Sequence, residues 1–219
     1  MILSVITDIE GTTTPVSFVH RVLFPYARAR LAAFIAAHPA HPALAEVPEP
    51  RLATLLGWMD RDEKITALKT IQGEIWAEGY AAGALKSEIY PDVPPMLRGW
   101  ARAGLRLFVY SSGSVAAQKL LFGHSEAGDL TPLFQGYFDT TLGPKRAAAS
   151  YAAIVRAVGS APGEALFLSD VEAELDAAAE AGLAACQLAR PQDGTQPGAR
   201  HPAVGDFGEV ARRFGLPHG

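Results

Sequence analysis

The most constraining feature of this chain is an apolar segment near its start that is followed at once by acidic residues. The run Leu3–Thr7 is short and rich in β-branched residues, which is typical of a buried strand. Asp8 and Glu10 follow it, and then come a glycine and three threonines. Open α/β sheets bind their ligands at the carboxyl ends of their strands. Because neighbouring carboxylates repel each other unless a cation or a proton compensates them, we expect a metal site and an anionic ligand here.

Composition limits the classes of protein to which the chain can belong. Its 219 residues suffice for one domain with an inserted module, and the 49% that are hydrophobic supply a core. A net charge of −4 argues against nucleic acid or an anionic membrane as partner. No apolar run reaches the roughly 18–20 residues of a membrane span, and the start lacks the basic region of a signal peptide. The single cysteine, Cys186, is expected to be a small buried residue in a reducing cytoplasm.

Residues 16–88 carry a helical pattern and no strand candidate. Apolar residues recur at helical spacing over 17–37, whereas the segment 38–50 contains four prolines and is predicted to be a loop between helices. Asp60, with Glu63 three residues later, resembles a capping box and predicts a helix that begins there. We therefore expect an all-helical insertion.

The rest of the chain alternates between strand and helix patterns. Such alternation implies a parallel sheet, so residues 1–15 and 89–219 are predicted to form one α/β core around the insertion 16–88. The predicted strands after the insertion are Leu105–Tyr110, Phe138–Thr141, Ala165–Leu168 and the run around Cys186, with helices at 94–103, from 115, at 150–158 and up to 182.

Three of the predicted strands end in polar side chains. Asp8 and Glu10 follow the first, Ser111 and Ser112 follow Leu105–Tyr110, and Asp170 follows Ala165–Leu168. Since the carboxyl ends of parallel strands lie at one edge of the sheet, we expect these side chains to converge on one crevice.

One lysine extends this set of residues. Lys145 follows a Gly-Pro pair and precedes a predicted helix. Acids supply the hard oxygen ligands that suit Mg²⁺, while a lysine and serine hydroxyls neutralise and hold phosphate oxygens. The residues thus predict chemistry on a phosphoryl group.

The order and spacing of these residues resemble the four motifs of the haloacid dehalogenase superfamily, and the longer strings are similar to those of its enolase-phosphatases of methionine salvage. The resemblance implies a Rossmann-like parallel α/β core with an inserted all-helical cap, one Mg²⁺ per chain, and a cytoplasmic monomer. It weakens in the proline-rich segment and after about Arg190. The strings that carry it are residues 8–15, 23–26, 110–115 and 118–125, with 66–69 and 72–73 in the insertion.

The resemblance also implies a role for each acidic residue near the strand ends. Asp8 would attack phosphorus and form an aspartyl-phosphate. Glu10, where most phosphatases of the superfamily have an aspartate, would be the general acid and base and would lie at the metal. Asp170 would complete the Mg²⁺ ligands, which are then Asp8, Glu10 and Asp170.

The remaining roles concern phosphate. Ser111 and Ser112 would hold phosphate oxygens, and Lys145 would bind the phosphate and offset the charge of Asp8. Glu174 would orient either a metal-bound water or Lys145.

The implied substrate is a small phosphorylated diketone, 2,3-diketo-5-methylthiopentyl-1-phosphate, which the family enolises and dephosphorylates to the acireductone. The residues themselves predict only the phosphatase half, because no base for the enolisation stands out. One alternative is another small-phosphoester phosphatase or mutase on the same scaffold. Another is a phospho-acceptor signalling domain, which has no use for a helical insertion.

Two interpretations remain open for each of five polar residues. Lys69 and Gln72 in the insertion are either ordinary polar residues of a helix or contacts to the substrate beneath a lid. His124 and Ser125 either pack within a loop or contact the substrate. Ser114 is interpreted as a helix N-cap in preference to a substrate contact.

Overall fold

The computed structural model describes residues 1–218 and contains two compact units. The first, here called the α/β unit, consists of Met1–Val16 and the chain from Ser87 onward. The second, the helical unit, is Ser17–Lys86. No helix within residues 1–218 has both the length and the apolar character that crossing a bilayer requires.

The helical unit is built on an apolar cluster. Leu31, Leu55 and Ile71, from three different helices, are fully buried in it. Gly79 allows close packing, because a Cβ there would lie 2.7 Å from the ring of Tyr26. Its helices are α1 (Val16–Phe18), which continues through a π-helical turn (Val19–Leu23) into α2 (Phe24–Ala37), then α3 (Pro42–Ala45), α4 (Arg51–Asp60) and α5 (Thr66–Ala81).

The capping-box prediction is wrong. Asp60 is the last residue of α4, and its carboxylate accepts a hydrogen bond from Arg28 at 2.7 Å. Glu63 accepts from Arg61 at 2.5 Å, and the next helix begins only at Thr66. Arginine side chains therefore bind both acids that the pattern assigned to a cap.

The predicted loop 38–50 contains one short helix, α3. Pro42 lies in its first turn, where a missing N–H costs nothing. The ring nitrogen Nδ1 of His41 accepts a hydrogen bond from the amide of Ala43 and thereby caps this turn.

The α/β unit contains one parallel sheet, which confirms the predicted fold class. Its strands are β1 (Ser4–Thr7), β2 (Arg106–Tyr110), β3 (Phe134–Phe138), β4 (Ala165–Ser169), β5 (Ala184–Leu188) and β6 (Ala203–Val204), in the order β3-β2-β1-β4-β5-β6. β1 and β4 are buried throughout, as expected of central strands with helices on both faces.

Helices cover both faces of this sheet, because successive side chains of β1 point to opposite faces and pack into two different apolar clusters. Val5 faces a cluster with Trp100 and Phe122, whereas Ile6 faces a second cluster with Tyr151 and Leu175. The helices are α6 (Val93–Arg102), α7 (Val115–Gly123), α8 (Ala148–Ala157), α9 (Glu172–Glu180) and α10 (Phe207–Phe214).

Two parts of the α/β unit differ from the sequence prediction. The strand expected at Phe138–Thr141 lies earlier and ends at Phe138, because the Asp139 carboxylate accepts hydrogen bonds from Thr141 and from the amide of Val115 and so forms a turn. β6 and α10 were not predicted.

Candidate active site

Three neighbouring strands bring the predicted polar residues to one edge of the sheet. Thr7 lies opposite Val109 of β2 and Leu168 of β4. Asp8 therefore follows β1 at the level where β2 and β4 end, and the next residues along those two strands lead to Ser111 and Asp170. The strand order β2-β1-β4, which the sequence alone did not give, is what makes the three strand ends adjacent.

A buried lysine joins two of the acids. Nζ of Lys145 lies 2.7 Å from Oδ1 of Asp8 and 2.7 Å from Oε2 of Glu174, and its side chain is only 8% exposed. Burial by itself lowers the pKa of Lys145, but the charges of Asp8 and Glu174 outweigh it, so the pKa lies above the ordinary value. The two carboxylates therefore favour the charged form of Lys145 beside Asp8.

Three hydroxyl groups hold the loop that carries Lys145. Tyr110 donates to the carbonyl of Gly143 at 2.8 Å, Ser150 to that of Pro144 at 2.8 Å, and Tyr151 to that of Lys145 at 2.7 Å. Gly143 is needed for this approach, because a Cβ there would lie 2.4 Å from Oγ of Ser150. The loop is thus fixed by successive backbone carbonyls.

Glu174 lies in the first turn of α9, next to the end of β4. Its Oε2 accepts a hydrogen bond from Ser169 at 2.9 Å as well as the contact from Lys145. Burial, followed by the charge of Asp8, raises the pKa of Glu174 despite the opposing effect of Lys145. Of the two roles that the resemblance left open for Glu174, this geometry supports the orientation of Lys145.

Asp170 lies against the turn that follows Asp8. Gly11 has a φ of +70°, and a Cβ there would lie 2.5 Å from Oδ2 of Asp170, so only glycine fits. Burial, and then the charge of Asp8, raise the pKa of Asp170 to about 7. Gln187 donates to the Asp170 carbonyl at 3.0 Å and fixes its backbone.

The loop after β2 is fixed through its backbone. Ser111 is buried and its Oγ accepts from the amide of Gly113 at 3.2 Å, whereas Ser112 is exposed. Ser114 caps α7 by accepting from Ala117, as predicted. Gln118 donates to the carbonyls of Gly113 and Phe138, both at 2.8 Å, and so joins this loop to β3.

The donor set fits a hard divalent cation. Asp8 is a buried carboxylate and Asp170 a partly buried one, and the charge of Asp8 is close enough to raise the pKa of Asp170. Among residues 1–218, no three His, Cys, Asp or Glu side chains form a group that could hold a metal. Glu10, at the start of the turn that follows Asp8, is half-buried. Two carboxylates suffice for Mg²⁺, which commonly takes only one or two and keeps its waters.

Of the residues with two interpretations, His124 and Ser125 lie in the segment that follows α7. The His124 ring contacts the carbonyl of Leu120 in α7, and Ser125 donates to the carbonyl of Gly128 in its own loop. Lys69, half-buried, and Gln72, buried, lie on α5 of the helical unit, and a contact to substrate stays a prediction for both.

Sequence reasoning missed two residues at this edge, Gln187 and Arg190. Gln187 lies in β5, the strand predicted around Cys186, and Arg190 follows two residues after its end. The signal was present, since a glutamine inside an apolar run and an arginine three residues after that glutamine are uncommon in a purely structural strand.

The comparisons with known proteins agree with this geometry. A family model described as a haloacid dehalogenase-like hydrolase matches residues 2–182. A protein of Granulibacter bethesdensis named enolase-phosphatase E1 is 57% identical over 98% of this chain and 97% of its own length. One of Hahella chejuensis with the same name is 52% identical over 95% of each.

Solved structures show the same architecture. The UTR4 protein of Saccharomyces cerevisiae superimposes with a TM-score of 0.83 at 36% identity, over 94% of this chain and 99% of that one. CbbY of Rhodobacter sphaeroides in complex with phosphate gives a TM-score of 0.66 at 19% identity, over 96% of each chain. At that identity the second likeness concerns the fold alone.

Proposed function

Because the chain belongs to the haloacid dehalogenase-like hydrolases and, within them, to the enolase-phosphatase E1 family, we propose that it removes phosphate from its substrate through an aspartyl-phosphate on Asp8. The reaction converts 2,3-diketo-5-methylthiopentyl-1-phosphate to the acireductone 1,2-dihydroxy-3-keto-5-methylthiopentene and phosphate, in L-methionine salvage.

The observation that carries the role of Asp8 is its contact with Lys145. A nucleophilic carboxylate must stay ionised while a negatively charged phosphoryl group approaches it, and Lys145 at 2.7 Å from Oδ1 provides the compensating charge. Its second contact, to Glu174, prevents Lys145 from moving away as Asp8 becomes esterified. Lys145 thus serves both the carboxylate and the incoming phosphate.

The other residues divide between acid–base work and phosphate binding. Glu10 lies two residues beyond Asp8, and we assign it the proton transfers: protonation of the leaving oxygen and, later, activation of the water that hydrolyses the aspartyl-phosphate. Ser111 and Ser112 offer hydroxyls to the phosphate oxygens at the end of β2, where Gln118 fixes the loop.

Phosphatases of this superfamily generally use Mg²⁺, and Asp8 and Asp170 would hold the ion here, with Glu10 beside them. The ion would supply charge neutralisation on the phosphoryl oxygens. A cation between the two carboxylates would offset their repulsion, which contributes to the raised pKa of the partly buried Asp170 beside the buried Asp8.

We also propose that the protein is a cytoplasmic monomer. The support for the cytoplasmic location is the single cysteine, which forms no internal disulfide and lies buried in β5, where burial raises its pKa to about 12.

The proposal is tested with two variants and two substrates. Asp8→Asn is nearly isosteric but cannot form the ester, so phosphate release should fall by about 10⁴-fold or more for both the diketone phosphate and a chromogenic aryl phosphate. Asp176→Asn, which changes a carboxylate on α9 away from the strand ends, is the matched control. Near-wild-type release by a folded Asp8→Asn protein would overturn the mechanism.

Glu10→Gln separates the two halves of the reaction. We expect dephosphorylation to slow more than enolisation, so that ultraviolet absorbance of an enol phosphate builds up. Normal phosphate release without build-up would remove Glu10 from its role. Turnover of the aryl phosphate alone would indicate another phosphatase on this scaffold, and stoichiometric phosphorylation without release would indicate a phospho-acceptor domain.

A further inference from the structure

Arg190 is a buried arginine at the edge of the sheet that carries the active site. It follows β5 by two residues and is only 1% exposed. Its guanidinium carbon lies 4.1 Å from the centre of the Tyr90 ring and 5.6 Å from that of Phe207. Burying a permanent charge costs stability unless its hydrogen-bonding groups are well paired, so the partners of Arg190 show what it is for.

Two of its nitrogens bind the turn after Asp8. Nη2 donates to the carbonyl of Thr12 at 2.8 Å, and Nε donates to the same oxygen at 3.2 Å. Nη1 donates to Asp92 at 2.9 Å and to the carbonyl of Gly205 at 3.1 Å. The guanidinium therefore links the Thr12 carbonyl to the Asp92 carboxylate.

Four amides of the turn donate to carbonyls within the turn, whereas the carbonyl of Thr12 receives its hydrogen bonds from Arg190. The amides of Thr12, Thr13 and Thr14 all donate to the carbonyl of Ile9, at 3.2, 2.9 and 3.0 Å, and the amide of Gly11 donates to the carbonyl of Thr14 at 2.8 Å. Thr12 is fully buried, so its carbonyl would lose much free energy without a donor.

The residues around Arg190 hold the far end of the same turn. The amide of Tyr90 donates to the carbonyl of Thr13 at 3.0 Å. The hydroxyl of Tyr90 donates to Asp193, which also accepts from the amide of Val16 at 3.2 Å. The segment from Thr12 to Val16 is thus bound at three points: by Arg190 itself, by the amide of Tyr90, whose ring lies against the guanidinium, and by Asp193.

We propose that Arg190 is a positioning residue for catalysis, which acts by holding the turn between Asp8 and Val16 in the conformation that the nucleophile needs. The inference rests on the proposed role of Asp8. One end of the turn is Asp8, and Gly11 in its middle lies against Oδ2 of Asp170 with no room for a Cβ. A shift of the Thr12 carbonyl therefore displaces the nucleophile and the second carboxylate together.

The test replaces the planar guanidinium group of Arg190 and keeps its positive charge. Arg190→Lys preserves a cation for Asp92 but cannot donate twice to the Thr12 carbonyl. A misplacement of about 1 Å costs up to about 10²-fold in rate, so we expect kcat to fall by about 10- to 100-fold with KM changed less than threefold. Hydrogen exchange of the amides in residues 9–14 should become faster in the same variant, a readout that does not depend on turnover.

Asp92→Asn is the matched control. It weakens the same ion pair and lowers thermal stability, but it leaves both contacts from Arg190 to Thr12 in place, so kcat should stay within twofold of wild type. A double variant, Arg190→Gln with Asp92→Asn, leaves no buried charge unpaired and should fold even if Arg190→Lys does not. It should show the loss of kcat that Asp92→Asn lacks.

Two results would overturn the inference. One is a folded Arg190→Lys or double variant whose kcat and exchange rates at residues 9–14 match wild type. The other is an Asp92→Asn protein that loses as much kcat as Arg190→Lys, since Arg190 would then act only through stability. The Asp8→Asn measurement separates this failure from that of the proposed function, because it reports on the nucleophile independently of Arg190.

Discussion

The two units of this protein bury different kinds of side chains. The α/β unit buries Asp8, Lys145, Glu174 and Arg190, all charged residues at or near the carboxyl edge of its sheet. Within the described residues of the helical unit, the one buried polar side chain is Gln72, 5% exposed, and the rest of the buried set is apolar.

This difference in buried side chains indicates that one unit carries the chemistry while the other is built for stability. Buried charges must be paired and hydrogen-bonded, and even then they add little to stability compared with apolar side chains of the same size. A unit that retains several of them does so for a reason other than folding. The helical unit has the ordinary composition of a packed helical core, so we expect it to influence which substrate is accepted and not how phosphate is removed.

The largest effect should follow from removing the cation of the α/β unit. Lys145→Met leaves Asp8 and Glu174 buried without their partner, so aryl phosphate turnover should fall by about 10³-fold or more and stability by about 3 kcal/mol or more. Phosphate release and thermal denaturation measure both losses. Lys119→Met, at an exposed position of α7, is the control and should change neither activity nor stability. A Lys145→Met protein as active and stable as that control would show that the buried charges of the α/β unit do not serve the chemistry.

A smaller effect, with opposite signs for stability and activity, should follow at Asp170. The raised pKa of about 7 means that the native state holds a proton that the unfolded chain loses at lower pH, so the stability that this proton contributes is lost as pH rises from about 4 to about 7. Asp170→Asn should therefore raise the melting temperature of the metal-free protein at pH 8 and leave it nearly unchanged at pH 4.

The same substitution should raise the Mg²⁺ concentration for half-maximal phosphate release, because one of few anionic ligands is gone. A magnesium titration of both proteins at pH 8 measures this. Equal half-saturation in wild type and Asp170→Asn would show that Asp170 is no ligand. A lower melting temperature of the metal-free variant would contradict the cost of ionising this partly buried carboxylate.

The smallest effects should come from substitutions in the helical unit, and they test whether this unit affects substrate choice alone. Lys69→Ala and Gln72→Ala should each lower kcat/KM for the diketone phosphate by about 10-fold, the value of one or two lost polar contacts, while slow turnover of an aryl phosphate changes less than twofold. Thr70→Ala, an exposed neighbour on α5, is the control for helix stability. Equal losses on both substrates would mean that the helical unit takes part in the chemistry or only supports the fold.

The sequence predicted the sheet better than the helical insertion, and the reason lies in what each pattern contains. β1, β2 and β4 are short, mostly apolar runs that are followed by, or end at, a polar residue, so the local sequence marks where each strand ends. The boundary between α4 and α5 was misplaced because Asp60 and Glu63 have the spacing of a cap but bind Arg28 and Arg61 instead. A competing arginine cannot be seen from a local pattern.

For the candidate site, the sequence by itself determined the types of residues and the strand ends on which they lie: Asp8 after β1, Ser111 after β2 and Asp170 after β4. These follow from local order along the chain, because a strand and the residue after it are covalently joined. The resemblance to a family added the roles, and the near-full-length relatives support the reaction.

Only the tertiary structure decided how these residues act on one another. Lys145 and Glu174 meet Asp8 because β4 lies beside β1 and the Gly143–Lys145 loop is held by three hydroxyls. The Thr12 carbonyl meets Arg190 across a separation of 178 residues. Contacts of this range depend on strand order and on the packing of both sheet faces, which no local pattern of residues encodes.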